Sequence, residues 1–135
     1  MLSLLLFWVA EIFYLSWLPN GDLGKETHFP LWLLDWSNTY FNLRTAIPFM
    51  ALSFLLQAWY WRTSSSWRRK IKLPFWLINC CIGTVIVCIA EGGQFFIRNR
   101  HPDIMDVTFG ILGSILGCVL YYLFDSFIQL IFIKK

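Results

Sequence analysis

Glu91, Gln94, Arg98, Arg100, His101, Asp103 and Asp106 crowd into one stretch, EGGQFFIRNRHPDIMD, of a chain made mostly of Leu, Ile, Phe, Trp and Val. Three kinds of chemistry suit such a set. Glu91, Asp103 and Asp106 could ligate Mg²⁺ or Ca²⁺ through oxygen. Arg100 could hold the acids together, or grip a phosphate or anionic headgroup by bidentate hydrogen bonds. Glu91 could share a proton with a second buried acid, Glu11, raising the pKa of one of them. His101 has no second histidine near it and reads as a turn residue. The chain has no catalytic triad, Walker loop or H-E-x-x-H, and no base stands near Ser3, Ser16 or Ser53 in the sequence.

Elements must bring these groups together, and composition says in what solvent. The 135 residues are 58% hydrophobic and only 14% charged, with a mean hydropathy of +0.59. Soluble domains carry about a quarter charged residues, so lipid is the expected solvent. Four apolar segments, at about 2–18, 43–61, 73–96 and 104–124, approach the roughly 17–25 residues that cross a bilayer core. Backbone groups in lipid must be satisfied internally, so these segments are expected as helices. The expected fold is all-α: one domain over 1–135, a polytopic membrane protein with four transmembrane helices and a polar hairpin end. The start, MLSLLLFWVAEIFYLSWLPNG, has no basic n-region and no A-x-A site, and reads as a retained helix.

Orientation follows from basic loops. Arg62, Arg68, Arg69, Lys70 and Lys72 lie between the second and third segments, and Lys134 and Lys135 close the chain. The positive-inside rule puts that loop and both termini in the cytoplasm, and the motif outside. The net charge of +3 therefore bears on topology, not on nucleic acid, which is not an expected partner. The first loop, HFPLWLLDWSNTYFNLR, suits an interfacial segment at the outer headgroups, either a lid or a plain amphipathic connector. Cys80, Cys81, Cys88 and Cys118 read as small hydrophobes inside apolar segments.

Two faces organise the motif. On the third segment Cys81, Thr84, Cys88, Glu91, Gln94 and Arg98 recur at steps of three and four, a stripe expected to face protein. Glu91 lies about 7–8 Å below the outer end, and Glu11 roughly 10–12 Å, at 1.5 Å per residue. Glu11 could equally meet Gln57. On the fourth segment Asp103, Asp106, Gly110, Gly113, Ser114 and Gly117 share a face, and Gly113 and Gly117 form a G-x-x-x-G contact that lets another helix approach. Asp103 also suits a helix N-cap, with Asp106 at N3.

The order Glu91, Gln94, Arg100, Asp103, Asp106, Gly113 and Gly117 resembles the signature of the VanZ-like family over Glu91 to about Leu120. Pro48 resembles, more loosely, the proline of the family's second span. The family usually has Asn where this chain has Gly110. The resemblance implies a multi-pass bacterial inner-membrane protein, and founding members are linked with low-level resistance to teicoplanin-type glycopeptides. Three functions follow as expectations. In the first, Glu91, Gln94, Arg100, Asp103 and Asp106 bind an anionic or amphiphilic ligand at the outer leaflet, a lipid-linked envelope precursor or the glycopeptide itself, with no cofactor. The second is a lipid-phosphate enzyme using these carboxylates with a divalent cation. In the third the charges only lock a hairpin or an oligomer.

Overall fold

The computed structural model describes residues 1–18, 30–63, 74–98 and 100–132. All regular structure among them is helical: α1 (Leu2–Ser16), α2 (Leu31–Thr39), α3 (Phe41–Arg62), α4 (Phe75–Gln94) and α5 (Ile104–Phe132). The four expected long segments are therefore helices, and the amphipathic first loop contributes the short α2. Pro19 and the basic residues Arg68, Arg69, Lys70, Lys72, Lys134 and Lys135 lie outside the described residues.

The bounds shift for physical reasons. α5 runs on past residue 124 because the apolar run resumes after Asp125 and Ser126 with Phe127, Ile128, Leu130 and Ile131, and Asp125 and Gln129, one turn apart, hydrogen-bond each other (Gln129 Nε2 to Asp125 Oδ2, 2.8 Å). α4 starts after Pro74, whose fixed φ and missing N–H suit a helix entrance. Two helices, α4 and α5, are long and apolar enough to cross a membrane. α1 is apolar but has only 15 residues. α3 has 22 residues but carries Arg44, Thr45, Pro48, Ser53 and Gln57, which lower its hydropathy.

α3 is the hub and touches each of the other four helices, most extensively α5. The contact follows from the glycines. A Cβ on Gly113 would strike the carbonyl of Ala46, and one on Gly117 would strike the carbonyl of Met50. Their absence lets the two backbones meet along one seam, as the G-x-x-x-G spacing predicts. The helix received there is α3. Gly110, which lies against Val87 and Phe49, continues the seam toward α4. Phe49, Leu52 and Val87 form the centre of the core, with Leu5 and Ile12 of α1 closing it.

The protein-facing stripe of α4 is not the expected one. Cys81 and Cys88 are exposed, and the buried residues are Asn79, Gly83, Val87, Ala90, Glu91 and Gln94. Steps of three and four do not keep one face when the threes dominate. Between Cys81 and Gln94 they leave about 140° of rotation at roughly 100° per residue. Only the outer part of that stripe, Glu91 and Gln94, turns inward. Its inner part is replaced by Asn79 and Gly83. Asn79 Nδ2 donates to the Ser53 carbonyl (2.8 Å) and to Gln57 Oε1 (3.2 Å). Gln57 Nε2 in turn donates to the Tyr122 hydroxyl (3.1 Å). Gln57 and Asn79 are wholly buried, so these bonds satisfy the Gln57 amide and the Asn79 N–H groups, each of which would otherwise cost about 1–3 kcal/mol, while Asn79 Oδ1 and Ser53 Oγ are buried without a partner.

Candidate functional site

The glycine seam sets the register of the site. With Gly113 seated on Ala46, the neighbouring Thr45 reaches Asp106, two turns earlier on α5. Thr45 Oγ1 donates to Asp106 Oδ1 at 2.7 Å. α1 arrives from the other side. Ser16 Oγ and Trp17 Nε1 both donate to the Ala90 carbonyl, at 3.3 and 3.1 Å. Gly93 makes room for this: a Cβ there would lie 2.7 Å from Trp17 Cε2. The end of α1 is thereby fixed one turn from Glu91.

Glu91 and Gln94 stand one turn apart on the buried face of α4, 6% and 3% exposed. Glu91 Oε1 accepts from Gln94 Nε2 (2.8 Å). Its Oε2 accepts from the backbone N–H of Asp103 (3.2 Å). Gln94 Nε2 also donates to Ser16 Oγ (3.2 Å). Gln94 thus orients the acid, as the sequence suggests, and ties it to α1. Arg100 stands in the turn between α4 and α5. Its Nη2 donates to the Ser16 carbonyl (2.8 Å), while its Nε is buried without a hydrogen-bond partner.

Asp103 behaves differently. Its side chain is exposed, and Oδ1 accepts from the Met105 N–H at 2.9 Å, an N-cap bond to the second residue of α5. It meets Glu91 through its backbone alone. The three acids consequently do not converge, and no group of three or more His, Cys, Asp or Glu among the described residues could hold a metal ion. The residues do not fit the divalent cation considered from the sequence. Arg98 and His101 are exposed. Glu11 lies apart from Glu91: it lines a separate, apolar chamber. It does not meet Gln57, whose amide is taken by Asn79 and Tyr122. Equal depth along their helices does not bring the two acids together, because they line different cavities.

Around Glu91 these contacts leave a pocket of ≈ 50 Å³. Its polar walls are Ser16, Arg44, Thr45 and Gln94 together with Glu91, Arg100 and Asp106. Arg44 is attracted by Asp106 and Glu91 and repelled by Arg100. A water needs about 10–15 Å³ of such space, so the pocket accepts a few waters or one small charged group. Ser16, Arg44 and Thr45 are the members that local spacing missed. They come from α1 and α3, at least 46 residues before Glu91, and only the three-dimensional packing joins them to it.

Chemically the set is a small polar pocket whose acids are held in place by hydrogen bonds. Asp106 and Glu91 accept from neutral donors, which hold their oxygens in place. The buried N–H of Arg100 asks for an acceptor, and leaving it unmade is costly. Hydrogen bonds from guanidinium to an anion are among the strong ones. No curated protein and no solved structure matches the chain. The model of one family, VanZ/LLP1, matches residues 1–125, which hold α1 to α4, most of α5 and every residue of the pocket, and the chain belongs to that family.

Proposed function

We propose that this VanZ-family protein is a membrane-embedded receptor for an anionic headgroup. In this proposal all four long helices cross a bacterial cell membrane, both termini are cytoplasmic, and the pocket opens at the outer face. The ligand is an envelope amphiphile such as a lipid-linked precursor. Occupancy of the pocket is how the protein would contribute to glycopeptide resistance or to envelope processes. The observation that carries this is the buried, unpartnered Nε of Arg100 in the wall of a pocket shared with Arg44.

Pocket size favours a headgroup over the antibiotic. About 50 Å³ accommodates one phosphate- or carboxylate-sized group, far less than a whole glycopeptide. The bilayer supplies such ligands at the depth where the pocket lies. Phe95 and Phe96, 77% and 92% exposed at the end of α4, support that depth, because bare aromatic rings belong at the lipid–water boundary.

The test has two arms. Purified protein in zwitterionic nanodiscs is titrated with methyl phosphate, a head without a tail, for wild type and Arg100→Gln. A hydrogen bond to a charged group contributes about 1.5–3 kcal/mol, so the variant should bind about 10- to 150-fold more weakly. In cells, glycopeptide susceptibility is compared for wild type, Arg100→Ala and Glu91→Gln at equal protein levels. An active wild type with fully active variants would rule out the pocket.

A further inference from the structure

A second cavity lies beside the first. It is a chamber of ≈ 510 Å³ between α1, α2 and α3, within the roughly 300–1,000 Å³ range of small-molecule sites. Its walls are apolar side chains, among them Phe7, Trp8, Leu34, Trp36 and Ile47. The two cavities share Ile12, Leu15, Arg44 and Pro48. They are therefore neighbours across one wall, and the charged residue in that wall is Arg44. Polarity changes across it within a few ångströms: Glu91, Gln94, Arg100 and Asp106 on one side, Trp, Phe and Leu on the other.

We infer that the two cavities together form one site for a single-chain lipid phosphate, with the phosphate in the polar pocket and the apolar chain in the chamber. The inference rests on the headgroup proposal above and specifies the tail. Three observations carry it. First, the head and tail compartments lie on either side of one wall, formed by Ile12, Leu15, Arg44 and Pro48, so a ligand seated by its head at Arg100 has one apolar volume next to it, reached by displacing those side chains. Second, both guanidinium groups face the head compartment, Arg100 from the α4–α5 turn and Arg44 from α3. Two cations suit a phosphate, which carries up to two charges. Third, the chamber is lined almost wholly by apolar side chains, so a charged head is better accommodated among the polar groups of the pocket. A single chamber next to the pocket provides for one chain.

The experiment uses soluble alkyl phosphates, methyl, butyl and hexyl, titrated against the full-length protein in zwitterionic nanodiscs, with empty nanodiscs correcting for partition. Ile47→Trp is the blocking variant. Ile47 is 41% exposed and lines the chamber alone, so a larger ring there fills the chamber and leaves the head pocket intact. Leu33→Trp on α2 blocks the same space from the opposite wall, in case the first variant folds poorly.

In wild type, affinity should rise with chain length, up to about fourfold per methylene buried. In the blocked variants that gradient should vanish, while methyl phosphate binds as in wild type. If methyl phosphate binds and needs Arg100, yet added methylenes gain nothing over empty nanodiscs, the tail assignment is overturned and the headgroup proposal stands. The chamber then holds bilayer acyl chains. If no alkyl phosphate binds at all, the headgroup proposal itself falls.

Discussion

Replacing Gly113 by Ala tests the feature on which the whole site depends. The added Cβ would lie on the Ala46 carbonyl oxygen and 3.0 and 3.1 Å from Ala46 C and Cα. All three are backbone atoms, so no side chain can rotate away and α3 and α5 must part. Overpacking of this kind costs about 1–3 kcal/mol. In water Ala would recover up to about 1 kcal/mol through helix propensity. In a membrane or detergent the denatured state keeps much of its helix, so most of that recovery disappears, and the net loss should be about 1–3 kcal/mol. Gly92→Ala is the internal control, because a Cβ there meets nothing within 4 Å. The assay is equilibrium unfolding in mixed micelles with rising SDS, followed by near-ultraviolet circular dichroism. Gly113→Ala should unfold at a clearly lower SDS fraction than wild type, and Gly92→Ala at the wild-type fraction. Because Thr45 sits beside Ala46, Gly113→Ala should also weaken methyl phosphate binding at the Asp106 end. If Gly113→Ala and Gly92→Ala melt together, the seam is not the constraint that positions the pocket.

Two further outcomes test particular contacts. Asp103→Ala removes the cap on α5 and should cost about 0.5–2 kcal/mol of stability without changing the affinity for methyl phosphate. Asp103→Asn should recover most of that loss. Cys81→Leu and Cys88→Leu, at exposed positions, should stay within about 0.5 kcal/mol of wild-type stability, while Cys118→Leu, at a position 3% exposed, should lose about 1–3 kcal/mol by overpacking in the same SDS titration. A larger loss at Cys81 than at Cys118 would mean that α4 and α5 are rotated from the faces described here.

Much of the helical framework was legible because it depends on composition. Long apolar runs and the Asp103 cap are local signals, and they held to within a few residues except at the end of α5. The glycine seam was legible too: small residues four apart mark a close approach whichever helix supplies the partner. The rotation of α4 was not. Cysteine resembles a small inward-facing residue, yet in lipid it is equally content outside, while Asn79 must be inside. The better signal was Asn79 with Gly83 and Val87, spaced by four. Part of the site was legible as well, since Glu91 and Gln94 lie one turn apart and Asp106 continues the seam. Ser16, Arg44 and Thr45 were not, because their role depends on how α1 and α3 dock. Glu11 illustrates the same limit: sequence gives depth along a helix, but azimuth decides whether two acids meet.

The polar layer at Gln57 has a consequence for biogenesis. Gln57 is completed by Tyr122, 65 residues later. At synthesis rates of about 5–20 residues per second, that partner emerges roughly 3–13 s after Gln57 itself. For that interval α3, the hub of the molecule, carries Gln57 without its acceptor Tyr122, and for about the first third of it without Asn79 as well. The least apolar long helix must therefore be held by insertion machinery or chaperones until the last one is made. Truncations ending before Tyr122 should leave α3 exposed to membrane proteases, and the chain should become resistant only when α5 is complete.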